Sequence, residues 1–190
     1  MNIVCIAWGS LLWKPQPLQL ASNWHPDGPR LPIEFVRQSD DSPELALALC
    51  ERAQPMPTYY AYLATRDLDS ARAMLGAREK ITPARPDWIG SIPPRDGART
   101  DARIAAWLAR KGIDAAVWTA LPPKSGGVNG RVASVHELLA WLDSLQGEER
   151  AGAEEYIRRT PAHIDTAYRR IFARQLGWAP LRDAHVTQRA

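Results

Sequence analysis

The sequence predicts an α+β fold: a small mixed, barrel-like β-sheet with flanking helices and a helical C-terminal part. Three observations carry this expectation. Strand-like apolar runs at Asn2 to Trp8, Ile33 to Gln38, Leu45 to Cys50 and Tyr59 to Ala64 are separated by stretches rich in Pro, Asp and Ser. From Asp67 to Lys80 the apolar spacing changes to a helical period. Between residues 134 and 178, capping residues and apolar faces recur at helical spacing. With 190 residues, 45% of them hydrophobic, a single domain over 1–190 with its own core is expected, needing no metal or disulfide support.

The first run stops at Gly9-Ser10. Gly9 has no Cβ, so the chain there can take positive φ and admit a ligand closely, and Ser10 adds a hydroxyl beside outward-facing amides. Such a turn suits a carboxylate or oxyanion. It equally suits a plain connection between two buried segments. Asp40-Asp41-Ser42-Pro43 is turn chemistry that joins the second and third runs as an antiparallel hairpin. Residues 52–57 are placed to close the next pair.

In the stretch Asp67 to Lys80, Leu68, Ala71, Met74, Leu75 and Arg78 fall on a helical period, with Asp67 as cap. Glu79 lies in the last turn, where the negative end of the helix dipole disfavours an ionised carboxylate and raises its pKa. That suits a general base; an ordinary surface glutamate paired with Arg78 or Lys80 is the other reading. The proline-rich stretch 82–98 has no clear period and reads as a long loop, in the position of a lid. Thr100 to Arg110 is a capped helix stopped by Gly112, and Ala115 to Leu121 a further strand. The loop from Pro122 to Gly127 lacks the residue order of a phosphate-binding P-loop.

Ser134 and Glu137 form a capping box for a helix reaching Leu145. A more polar helix covers Glu148 to Arg159. Thr160-Pro161 opens the final helix, which stops at Gly177. On it, His163 has no second ligand beside it and reads as packing or surface.

Charge and cysteine content narrow the function classes. The 24 basic and 21 acidic residues nearly balance, too diffuse a pattern for nucleic acid, and Arg158, Arg159, Arg169, Arg170 and Arg174 read as a solvated helix face. Cys5 and Cys50 sit in apolar runs without metal-ligand spacing and read as reduced core residues. The apolar start has no basic flank, and Gly9-Ser10 interrupts it before a span is reached. A cytoplasmic protein binding neither membrane nor nucleic acid is expected. Oligomeric state has no signal.

Trp8-Gly9-Ser10-Leu11-Leu12-Trp13-Lys14-Pro15, read together with Ala61-Tyr62 and the later triplet Arg78-Glu79-Lys80, resembles the γ-glutamylcyclotransferase-like superfamily, nearest in motif to its ChaC-like branch. That branch begins with an apolar strand and a Tyr-Gly-Ser-Leu loop, and carries its catalytic glutamate in an Arg-Glu-Lys or Arg-Glu-Met triplet. Thr166-Ala167-Tyr168 is similar to the family's late Thr-Glu-Tyr. The resemblance spans residues 1 to 81 and parts of 130 to 178. Trp8 stands where the family has tyrosine, and residues 82 to 125 depart from it.

The resemblance implies an enzyme that cleaves a γ-glutamyl amide or peptide, glutathione among them, by intramolecular cyclisation to 5-oxoproline, without a cofactor or metal. It implies Glu79 as the catalytic acid/base. Trp8, Gly9, Ser10, Leu11 and Tyr168 are implied as substrate-binding residues, with Tyr168 equally suited to core packing. Two alternatives stay open: a catalytically silent small-molecule binding protein on the same fold, and an interaction protein using the arginine-bearing helices.

Overall fold

A computed structural model describes residues 1–95 and 97–181. Nine strands and five α-helices are present among them. The fold is therefore α+β, and it divides into two compact units, Met1–Leu31 with Pro57–Leu121, and Pro32–Met56 with 122–181.

The first unit holds β1 (Ile3–Ala7), β5 (Tyr59–Tyr62), α1 (Leu68–Arg78), β6 (Ile89–Ile92), α2 (Ala102–Lys111) and β7 (Ala115–Thr119). Its sheet runs β5-β1-β7-β6, with β1 parallel to β7 and the outer pairs antiparallel. Every residue of β1 is buried, which is why that run is apolar throughout instead of alternating. Ile3, Cys5 and Ala7 share a core with Ala115, Val117, Tyr59 and Ala61 of the neighbouring strands and Leu68, Ala71 and Leu75 of α1. Full burial of each large aliphatic side chain there contributes about 1.5–3 kcal/mol. On the opposite face of β5, the Tyr60 ring meets Trp107 of α2 at 4.9 Å. The sheet thus lies between two helices.

The second unit contains β2 (Leu31–Gln38, starting at the boundary), β3 (Leu45–Leu49), β4 (Pro55–Met56), β8 (Lys124–Ser125) and β9 (Val128–Asn129). Its helices are α3 (Val135–Ser144), α4 (Gly147–Arg159) and α5 (Ala167–Leu176). Strands follow the order β3-β2-β8-β9, with β4 also on β2. The β2–β3 hairpin forms as the Asp40 to Pro43 turn predicts. Ser134 and Glu137 make the reciprocal capping box of α3.

Several expectations are corrected. No ladder closes either sheet among the described residues, so the structure holds two open mixed sheets in place of one barrel-like sheet. Residues 52–57 do not join β3 to the next run: β4 pairs with β2, while β5 crosses to β1. The 82–98 stretch is not a continuous loop, because Ile89–Ile92 is a strand paired with β7. Gly90 disguises it. A Cβ at that position would stand 1.9 Å from Trp118 Cε2 on the paired strand, so the glycine that reads as a breaker is what lets the indole lie across the sheet. Residues 122–127 are not a plain loop either, since Gly126 and Gly127, with φ of 57° and 78°, turn the β8–β9 hairpin.

The final helix starts at Ala167, not at Thr160-Pro161. Thr160 caps the C-terminus of α4, and its hydroxyl donates to the Tyr156 carbonyl at 3.0 Å; the Thr166 hydroxyl caps α5. Nor is Arg169 on a solvated face. Only 1% exposed, it donates to the carbonyls of Pro161, Ile164, Ile157, Arg158 and Thr160. Burial pulls its pKa down to about 10. Arg158, Arg159 and Arg170 do pair with Glu154, Glu155 and Asp165 near the surface.

Candidate functional site

The candidate site forms in the first unit, where the turn after β1 meets the end of α1. Trp8 is buried at the end of the strand. Gly9 precedes a short 3-10 turn, Ser10–Leu12, and accepts the Leu12 N–H at 2.9 Å through its carbonyl. The Ser10 carbonyl accepts from Trp13 at 3.2 Å and Lys14 at 2.8 Å. Leu11 and Leu12 are buried in the same cluster as Leu68 and Leu75 of α1, which seats the turn against the helix. Gly9 has φ −133° and ψ −137°, so the positive φ open to a glycine is not used there. Leu11 fills the core; Ser10, partly exposed, is the polar side chain the turn presents.

The end of α1 is fixed with equal care. Asp67 caps its start, accepting from the Ser70 N–H at 2.8 Å. At its other end, Ile81 N–H bonds Gly76 O at 2.9 Å and Lys80 N–H bonds Ala77 O at 3.3 Å, the two bonds of a Schellman motif. Lys80 is the residue in left-handed conformation, φ 54°, a place usually taken by glycine. Glu79 is therefore the C-cap, one position beyond the last helical residue.

Arg78 joins the two pieces. Its Nη2 donates to Ser10 Oγ at 2.9 Å, its Nε to the Lys14 carbonyl at 2.9 Å, and its Nη1 to Glu79 Oε1 at 3.4 Å. The side chains of Arg78 and Glu79 are 16% and 15% exposed, so this ion pair is shielded from bulk water and stronger than a surface pair. Beneath them, burial pushes the Cys5 thiol far above its ordinary pKa, the Glu79 charge adds to that rise, and Arg78 opposes it. A thiol held protonated is no nucleophile. The polar chemistry of the site therefore rests on a serine hydroxyl, a guanidinium and a carboxylate. That set can bind an anionic group and move a proton.

The structure brings Ser10 and Glu79 together and places Trp8 and Leu11 as buried supports of the turn. Tyr168 belongs to the second unit, at the start of α5. Its hydroxyl donates to the Ala133 carbonyl at 3.2 Å, and its ring packs beside Val36, Ala48 and Cys50.

In the sequence Arg78 stands out only as part of the Arg-Glu-Lys triplet, the helical period and a possible ion pair, and Glu34 stands out in no motif. Glu34 is buried in β2 and accepts from the N–H groups of Phe35, at 2.9 Å, and Tyr168, at 3.2 Å, with Thr166 and Ala167 also bonded to it. It serves as a buried hydrogen-bond acceptor at the start of α5. Burial raises its pKa against the pull of those bonds. The sequence signal is a carboxylate flanked by Ile33 and Phe35 within the apolar stretch 31–36 of β2.

Among the described residues no group of three or more His, Cys, Asp or Glu side chains could hold a metal ion, and no helix is long and apolar enough to cross a membrane. His185 lies outside the described residues. Comparison of the chain with protein-family models, with curated proteins and with solved structures found no match.

Proposed function

We propose that this chain is a cytoplasmic γ-glutamylcyclotransferase-like enzyme that converts a small γ-glutamyl amide or peptide, such as glutathione, to 5-oxoproline and the free amine. The observation that carries the reading is the Arg78 guanidinium, shared between Ser10 of the Gly-Ser turn and Glu79 of the Arg-Glu-Lys triplet. Two motifs distant in the chain, each similar to a piece of one family, lie within one hydrogen-bond network.

The chemistry needs little from the protein. The substrate's own α-amine attacks its γ-carbonyl carbon, a carbon–nitrogen bond closes the lactam, and the original amide carbon–nitrogen bond breaks. Because nucleophile and electrophile share one molecule, holding the glutamyl chain folded supplies much of the rate. Glu79 accepts the proton lost by the attacking nitrogen and returns it to the leaving nitrogen, so the carboxylate ends the cycle as it began. Ser10 Oγ and the backbone of the turn receive the substrate carboxylate and carbonyl oxygen.

The test is release of 5-oxoproline from glutathione and a panel of γ-glutamyl amines and dipeptides, with Glu79→Gln as the control. Ligand affinity without product in the wild type would move the chain to the alternative reading, a binding protein on the same fold.

A further inference from the structure

Arg78 takes no part in the proton transfers of the cyclisation, yet it is the group through which the turn and the helix end are joined. Each of its three guanidinium nitrogens already donates to a protein oxygen: Nε to Lys14 O, Nη2 to Ser10 Oγ and Nη1 to Glu79 Oε1. Three of its five N–H donors are thus committed to holding protein groups in place. We propose that Arg78 is the positioning residue of this site, fastening the Ser10 turn to the end of α1 and holding the Glu79 carboxylate beside it.

The inference rests on the cyclotransferase reading for what is positioned, and on geometry alone for the fastening. Three features support the fastening. Leu11 and Leu12 seat the apolar side of the 3-10 turn in the core, but its own hydrogen bonds, from Leu12, Trp13 and Lys14, hold only backbone and leave the polar side, Ser10 and Lys14, to other contacts. Lys14, at its far end, is exposed and so gains no anchorage from the core. At the other side, the Schellman closure at Lys80 fixes the backbone of Glu79 but leaves its side-chain torsions to be set by contacts. A planar fork reaching three acceptors in three directions settles both. Lysine, a single point charge, cannot reach all three.

Arg78→Lys and Arg78→Gln separate positioning from simple support. Amide hydrogen exchange is measured first, since it needs no substrate. The Leu12, Trp13 and Lys14 amides are expected to exchange at least about tenfold faster in both variants, while those of β1 keep their protection. Release of 5-oxoproline from glutathione or the best panel compound is expected to fall about a hundredfold, as for a misplaced catalytic group.

Unchanged exchange in the turn, or full activity in Arg78→Lys, overturns the inference. Loss of protection throughout β1 does so as well, because it marks a general folding role. A wild type that yields no product from any compound overturns the cyclotransferase reading instead, and the exchange result then still decides whether Arg78 fastens the turn.

Discussion

Arg78 and Ser10 are 68 positions apart in the chain and meet through a 2.9 Å bond from Nη2 to Oγ. The bond exists because two local structures end at the same place. The buried strand β1 delivers the turn, and the Schellman closure of α1 stops the helix with Arg78 as its last residue and Glu79 as its cap. The closure carries a cost. It requires left-handed backbone at Lys80, where a Cβ is disfavoured by about 1 kcal/mol. Strain of this kind, beside a candidate proton-transfer group, is consistent with a position held for the site.

Lys80→Gly removes that strain. Its stability should therefore rise slightly, by up to about 0.5 kcal/mol after allowance for the greater freedom of glycine in the unfolded chain. Denaturant titration checks this, and a loss of stability would mean that the lysine side chain contributes more than its backbone costs.

Gly90→Ala tests the strand that the proline-rich stretch conceals. The new methyl group would stand 1.9 Å from the Trp118 ring, an overlap that only a shift of β6 or of the indole relieves. Destabilisation of about 3 kcal/mol is expected. Near-neutral stability would show that Trp118 does not lie across β6.

These two glycine questions mark where the sequence is legible and where it is not. The strand, turn and helix signals around residues 2–14 and 67–80 are local, and the structure follows them closely. Asp67, Ser134 and Gly112 act as the caps their types predict, because capping depends on neighbours within one turn. What depends on distant partners is not legible from local sequence. Gly90 looks like a breaker until Trp118 is seen across from it, and Thr160-Pro161 looks like a helix start until α4 is found to end there. Arg169 looks solvated until five carbonyls are found around it. Within the site, Ser10 and Glu79 were legible as residue types, but their link through Arg78 is a tertiary fact.

Glu34 predicts a dependence on pH. Its folded pKa is raised by burial above that of the unfolded chain, so it binds protons more tightly when folded. The stability this adds is present below the unfolded glutamate pKa, about 4.3, and is lost as pH rises through the folded value. The wild type minus Glu34→Gln difference in unfolding free energy, followed by urea titration from acid to neutral pH, should fall as pH rises. A difference that grew with pH would mean that the hydrogen bonds at the start of α5 outweigh burial.

Glu79 is the group on which the proposed chemistry depends most directly. The measurement is 5-oxoproline released from glutathione and the γ-glutamyl panel by the wild type and by Glu79→Gln, with circular dichroism melts to establish that both are folded. Product from the wild type and a loss of at least about a hundredfold in the folded variant is the predicted result, the scale at which a general acid/base group acts. A folded Glu79→Gln protein that keeps wild-type activity would contradict it.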